Sequence, residues 1–402
     1  MSDKHLAIIG AGPTGLEAAL AAAERGWGFT LYEAGDGVAD HVREWGHVAL
    51  FSPWSLDVSP RMRRQLAALG RTVPDDDSCP TGHELREQVF EPVAASELIV
   101  ENLRLRSRVT AIGRQGLLKH EAIGDAARAA RPFRLLVSDG AGSEWLESAD
   151  AVLDCSGSYA VANAMGDGGI PAPGELAAEA FVDNRIPDFA ADEDRWRGKT
   201  ILLVGAGHSA QTAAEGLAEI AERDPATLII WALRRAEPSW PVDPDDPLPE
   251  RRRLTARARE LASGSSAFDV RTGVVVDGFR LAGDRVEVVL RHLTGTVDTV
   301  EVDRVLSLTG SVGDHAMYRQ LQVHECYATS GPMKLAAALL ASGGGDCLAQ
   351  ESHGADTLVN PEPGFFILGA KSYGRNNTFL MRVGWEQVDE VFDLLAAEAA
   401  SA

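Results

Sequence analysis

The stretch His5-Leu6-Ala7-Ile8-Ile9-Gly10-Ala11-Gly12-Pro13-Thr14-Gly15 decides the fold. Leu6 to Ile9 is a short apolar run of the kind that forms a buried parallel strand. Gly10, Gly12 and Gly15 follow at G-x-G-x-x-G spacing. After them an alanine-rich helix is predicted from about Leu16 to Arg25, and a second strand, Phe29-Thr30-Leu31-Tyr32, ends on Glu33. Gly10 permits a tight turn, Gly12 lets backbone N–H groups approach a pyrophosphate, and Gly15 lets helix and strand pack closely. The positive end of the helix then meets phosphate charge. Glu33 lies roughly twenty residues past the loop, placed to accept both hydroxyls of an adenosine ribose. A structural glycine turn is the alternative, but strand, helix and terminal acid all stand where a dinucleotide needs them.

The chain has 402 residues, enough for two or three domains that each bury a core. Its 45% hydrophobic and 24% charged content is that of a soluble globular protein, and a net charge of −21 argues against nucleic-acid or anionic-membrane partners. No secretory leader and no membrane span is expected, since no h-region opens the sequence and no run of about eighteen apolar residues occurs. Cys79, Cys155, Cys326 and Cys347 are few and widely spaced, which fits a reducing cytoplasm better than a disulfide framework. Oligomeric state is not legible, and no metal site is expected.

The opening pattern recurs. Ile201-Leu202-Leu203-Val204 leads into Gly205-Ala206-Gly207-His208-Ser209-Ala210, with Ala210 in place of the third glycine, then a helix through Arg223 and a strand Thr227 to Leu233. No acid follows. Arg234 and Arg235 stand there instead, charges that a 2′-phosphate calls for, so NADPH is favoured over NADH; a solvated basic turn is the alternative. Asp150 to Gly157 and Asp303 to Gly310 share an Asp-x-Val-Leu-x-x-hydroxyl-Gly pattern, read as a buried strand that delivers a loop to the ligand. The longer interval in the first copy holds strand-like runs at Arg108 to Ile112 and Phe133 to Val137, a small antiparallel insert. A glycine- and proline-rich crossing places a boundary between about Tyr159 and Asp188. The expected fold is therefore α/β, with two Rossmann-like dinucleotide-binding domains: residues 1–165 with 311–402, and an inserted domain over 188–310. Glu250 to Glu260, with five arginines on a helical period, reads as a solvated face, with contact to cofactor phosphate as the alternative.

Gly35 to Pro60 crowds Trp45, His47, Ser52 and Trp54 into a segment with little periodicity. Such residues either pack a loop onto the core or wall a flat ligand beyond the first strand, and in the second case His47 is the nearest acid or base candidate. Near the end, the strand Phe365 to Leu368 leads into a loop from Gly369 to Arg375. Asn376 or Asn377 can cap a helix through the 390s, whose N-terminus points positive charge at whatever the loop holds.

Gly10 to Glu33, Asp150 to Gly157, Gly205 to Ala210 and the Gly369 loop with its helix together resemble the two-dinucleotide-binding-domain flavoproteins. That group includes flavin-dependent monooxygenases and thioredoxin-reductase-like enzymes. The resemblance implies FAD on the first domain, held by Gly10, Gly12, Pro13, Thr14, Gly15, Glu33, Trp45, Ser52, Gly157, Gly369 and Thr378. It implies NADPH on the inserted domain, held by Gly205, Gly207, His208, Ser209, Ala210, Arg234 and Arg235, with His47, Trp54 and Lys371 as the catalytic candidates. The Trp45 to Trp54 loop and the Lys371 to Arg375 segment also look like a bacterial branch of flavoproteins sometimes found with arsenic-resistance genes. Three departures narrow the chemistry. The chain has no Cys-x-x-Cys pair, no Phe-x-Gly-x-x-x-His before the second glycine motif, and Ala370 where many relatives carry an aspartate. The expected function is an FAD- and NADPH-dependent oxidoreductase, foremost a monooxygenase of a small molecule. The alternatives are an NADPH dehydrogenase serving a quinone, metal or metalloid acceptor, and a non-catalytic redox sensor.

Overall fold

The structure, a computed structural model, describes residues 4–74, 76–238, 240, 244, 246–341, 352–376 and 378–401. The chain divides into two compact units, Met1–Val161 with Val312–Ala402, and Ala162–Ser311.

The first unit is built on β1 (His5–Ile9), α1 (Pro13–Glu24) and β2 (Gly28–Tyr32), followed by a one-turn helix α2 (Trp54–Asp57) and, later, β3 (Ala151–Asp154). Its five-stranded parallel sheet runs in the order Phe365–Ile367, β3, β1, β2, Leu103–Arg104. Both faces of β1 are covered, Leu6 and Ile8 in one core cluster and Ala7 and Ile9 in another, which is why the strand reads as an unbroken apolar run. Helix α1 begins at Pro13 rather than Leu16, because proline lacks an N–H and is well suited to the first helical turn. It is buried almost throughout. The C-terminal helix Met381–Ser401 packs closely on it at Gly384, where a Cβ would lie 2.9 Å from Thr14 Oγ1.

The expected antiparallel insert is present as Arg108–Arg114, Phe133–Ser138 and Glu144–Ala149. A buried ion triad pins it: Glu362 receives Arg114 Nε at 2.7 Å and Arg128 Nη2 at 2.7 Å. Asn376 does not cap the C-terminal helix. Its side chain accepts from Thr378 N and Oγ1 at 3.0 and 2.8 Å, closing a local turn before the helix starts at Met381, and Asn377 lies outside the described residues.

The second unit repeats the frame with β4 (Thr200–Val204), α3 (His208–Arg223), β5 (Leu228–Leu233) and β6 (Arg304–Ser307). Its parallel sheet runs Phe268–Thr272, β5, β4, β6, Val182–Asp183. The repeated aspartates have the same task in each copy. Asp150 Oδ2 accepts His5 N at 2.8 Å and Asp303 Oδ2 accepts Thr200 N at 2.7 Å, fixing the register where the glycine strand begins. The arginine-rich helix Pro249–Gly264 is a solvated face: Arg251, Arg253 and Arg257 pair with Asp246, Glu215 and Glu260 at 2.7, 2.6 and 2.9 Å.

Candidate functional site

Both glycine loops lie at the carboxyl end of the central strand of their sheet, where open α/β sheets bind ligands. The first glycine of each is fixed by strain and packing. Gly10 has φ +94° and Gly205 φ +132°, and a Cβ would lie 2.7 Å from the Cys155 carbonyl oxygen in one and 2.3 Å from that of Leu308 in the other. At Gly15 a Cβ would sit 1.8 Å from the Gly10 carbonyl oxygen; the second copy has room there for the methyl of Ala210.

The middle glycines differ in kind. Gly12 and Gly207 have φ −80° and −73°, open to any residue, and a Cβ on either would meet nothing within 4 Å. Neither backbone strain nor protein packing calls for glycine at these positions. The free space lies at a helix N-terminus, the place where a pyrophosphate is received.

The two loops are anchored differently. Glu33, 9% exposed, spends both oxygens on backbone: Oε2 accepts Ala11 N at 2.9 Å and Oε1 accepts Gly35 N at 2.8 Å. Each oxygen keeps a second lone pair for a hydroxyl. In the second unit two indoles replace the acid. Trp231 Nε1 donates to the Gly205 carbonyl at 2.9 Å and Trp240 Nε1 to that of Ala206 at 2.8 Å, their rings 5.0 Å apart. With the loop held through its carbonyls, the end of β5 is free to carry cations. Arg234 and Arg235 are exposed there and make no ion pair among the described residues. His208 and Ser209 open α3; burial, and then the charge of Arg251, push the His208 imidazole below its ordinary pKa, with Asp246 opposing.

The remaining candidates divide. Trp54 is 4% exposed in the main core, so its ring packs protein, and Trp45 lies half-buried against Gly82. Trp45 Nε1 and His47 Nε2 are buried without a hydrogen-bond partner among the described residues, orphaned atoms of the kind a bound molecule satisfies. Thr14 packs beneath Gly369, whose own Cβ would lie 2.6 Å from the threonine hydroxyl, whereas Gly157, with φ +75°, faces open space. Lys371 is not a free cation in the loop. Its Nζ donates to Asp154 Oδ2 at 2.6 Å, Ser156 Oγ at 3.1 Å and the Asp314 carbonyl at 2.7 Å, and both charged side chains are 0% exposed. All three N–H bonds are taken, so it holds the end of β3 rather than presenting charge to a ligand.

Sequence reasoning passed over Asp57. It is fully enclosed, its Oδ1 accepts the Ser52 hydroxyl at 2.6 Å, and burial pushes its carboxyl up to about 7, with Ser52 partly offsetting. A single aspartate three residues after Trp54 carries no pattern that would have found it. Among the described residues there is no cluster of His, Cys, Asp and Glu that could hold a metal ion, and no helix is long and apolar enough to cross a membrane.

No protein-family profile matches the sequence and no curated protein matches it. Solved structures do. The chain is similar to a bacillithiol disulfide reductase from Bacillus cereus at 17% identity, with 99% of this chain and 100% of that chain covered and a TM-score of 0.69. It is similar to a Kutzneria sp. 744 ornithine N-hydroxylase, described with reduced FAD, NADP+ and L-ornithine, at 14% identity, 99% and 100% coverage and a TM-score of 0.63. Lactococcus lactis thioredoxin reductase follows at 14% identity, 98% and 99% coverage and 0.59. The fold is thus that of the two-dinucleotide-binding-domain flavoproteins, over essentially the whole chain. Within that fold the solved neighbours include both reductases and N-hydroxylating monooxygenases.

Proposed function

We propose that the protein is an FAD- and NADPH-dependent oxidoreductase that oxygenates a small molecule. FAD belongs to the domain of residues 1–165 and 311–402, and NADPH to that of residues 188–310. The observation that carries the two-nucleotide part of this reading is the pair of unfilled spaces at Gly12 and Gly207, each at the N-terminus of a helix and each at a position the protein alone would not require to be glycine.

FAD, when bound, accepts a hydride from NADPH and can pass the electrons to oxygen. The chain's own residues bind and orient. Gly10 to Gly15 receive the pyrophosphate, Glu33 takes ribose hydroxyls on its spare lone pairs, and Arg234 and Arg235 take the 2′-phosphate of NADPH. The Trp45 and His47 loop shields the site from water. The sequence has no Cys-x-x-Cys pair to relay electrons as a dithiol, which favours oxygenation, and Cys155 is no substitute. Burial, then the neighbouring Asp154 charge, pushes its thiol well above the ordinary range, and a thiol that resists ionisation is a poor nucleophile. No disulfide joins Cys79, Cys155 or Cys326 among the described residues, and Cys347 lies outside them.

Two measurements test the reading. Replacing Arg234 and Arg235 with alanine should weaken NADPH far more than NADH, each lost charge-assisted contact costing on the order of 1.5–3 kcal/mol. Equal use of both nucleotides by the parent protein would sink the 2′-phosphate assignment. Oxygen uptake and peroxide release, followed during NADPH oxidation against a panel of amines, thiols, phenols and arsenicals, should show one substrate that suppresses peroxide while forming an oxygenated product. Peroxide equal to NADPH consumed with every compound would turn the reading to a dehydrogenase.

A further inference from the structure

The two glycine loops are held from opposite sides of the peptide. In the first unit Glu33 takes the Ala11 N–H at 2.9 Å, so that donor is spent on the protein itself. Ala206 stands at the same place in the second loop, and its N–H makes no hydrogen bond among the described residues. Strand register explains the difference. Ile9 pairs with Tyr32 and Val204 with Ala232, so the residue in the place of Glu33 is Leu233, buried and with no side-chain acceptor to offer. The second loop is held through its carbonyls instead. Gly205 accepts Trp231 Nε1 at 2.9 Å, and Ala206 accepts Trp240 Nε1 at 2.8 Å and Gln211 Nε2 at 3.2 Å.

We propose that Trp231 and Trp240 are positioning residues for NADPH, which aim the Ala206 and Gly207 N–H groups at its pyrophosphate. The inference rests on the NADPH reading above and adds to it the residues that orient the donors. In a planar trans peptide the C=O and N–H point in opposite directions, so whatever holds a carbonyl sets the direction of the next residue's N–H. The Gly205 carbonyl shares its peptide with the Ala206 N–H, and the Ala206 carbonyl shares its own with the Gly207 N–H. Both indoles are buried, 0% and 7% exposed, whereas Ala206 and Gly207 are exposed. The N–H groups therefore face outward at the N-terminus of α3, into the space that a Cβ on Gly207 would leave clear by 4 Å.

A backbone N–H given to a phosphate oxygen makes a charge-assisted bond whose strength depends on alignment. A donor fixed before the nucleotide arrives needs no ordering on binding. A carbonyl that accepts a hydrogen bond also polarises its peptide and makes the attached N–H a better donor. Indole suits this task because it can only donate, so it never competes for the N–H groups that the phosphate needs. The two rings also steady each other. Their centres are 5.0 Å apart, and Phe268 lies 5.9 Å from Trp231 on the neighbouring strand. Compared with the first loop, the second gains the Ala206 N–H for the pyrophosphate and gives up the acid that would meet a free ribose. That exchange matches a nucleotide whose ribose carries a phosphate.

Trp240→Phe keeps an aromatic ring against Trp231 and removes only the N–H. Calorimetric titration of the full-length protein with FAD bound should show NADP+ weakened about tenfold in this variant, the scale of one well-aligned charge-assisted contact. Adenosine 2′-monophosphate, which carries the phosphate assigned to Arg234 and Arg235 but no pyrophosphate, should bind parent and variant alike. KM for NADPH and KM for NADH should rise by the same factor, since the pyrophosphate is common to both, whereas the arginine variants separate the two. Gln211→Leu removes the other donor to the Ala206 carbonyl and should give the same pattern to a smaller extent; it decides the question should Trp240→Phe fail to fold. NADP+ affinity within about twofold of the parent would overturn the assignment, as would an equal loss of adenosine 2′-monophosphate, the result that a merely structural role for the indole gives. A parent protein that binds no NADP+ would overturn the NADPH reading itself.

Discussion

A valine at position 12 is expected to abolish FAD binding and leave the fold intact. Gly12 is extended, with φ −80° and ψ −172°, a conformation that suits a β-branched residue. No protein atom lies within 4 Å of where its Cβ would be. The added methyl groups would then occupy only the space a pyrophosphate needs, and the loss should exceed a hundredfold, about 2.8 kcal/mol. Gly207→Val should do the same to NADPH while sparing FAD, since its surroundings match and it belongs to the other unit. Gly10→Val and Gly15→Val make the contrast, because there a side chain would strike the Cys155 or the Gly10 carbonyl and the first unit should not fold. Thermal unfolding and flavin titration of the four variants check both parts. A folded Gly12→Val protein that binds FAD within a few-fold of the parent would remove the main support for a nucleotide at this loop.

The glycine frame was legible because backbone geometry dictates it. A positive φ at Gly10 and Gly205 and a carbonyl lying where a Cβ would be leave few residue choices, and the choice shows in the sequence. The repeated Asp-x-Val-Leu pattern was equally visible, though its use in fixing strand register emerged only from the hydrogen bonds of Asp150 and Asp303. What escaped depends on contacts across long sequence separations. Trp231 looked like any residue of a buried strand, and nothing local says that its indole, with that of Trp240, replaces the acid that steadies the first loop. Trp54 and Trp45 sit in a segment without periodicity, where an aromatic residue serves a core or a ligand equally well. The structure puts Trp54 in the core and leaves Trp45 with an orphaned N–H. Lys371 read as a cation in a loop because its partner lies 217 residues away.

That partner makes Lys371 the second large effect. Lys371→Met should destabilise the protein by about 3–5 kcal/mol, the usual result of breaking a buried ion pair from one side. The lysine stem runs past Gly313, where a Cβ would crowd it at 2.7 Å, and its ammonium lies 5.0 Å from the centre of the Tyr318 ring. Methionine can fill that channel. The cost therefore comes from charge rather than volume. Asp154 Oδ1 still accepts Ser156 N and Oγ, at 3.1 and 2.6 Å, but Oδ2 loses its counter-ion in a site with no exposure. Adding Asp154→Asn should recover much of the loss by removing the stranded charge, whereas Asp154→Asn alone should resemble the single lysine variant. Denaturant unfolding of the three proteins measures this coupling. A Lys371→Met protein as stable as the parent but inactive would return the lysine to the chemistry, since its ion pair would then be shown to contribute nothing to the fold.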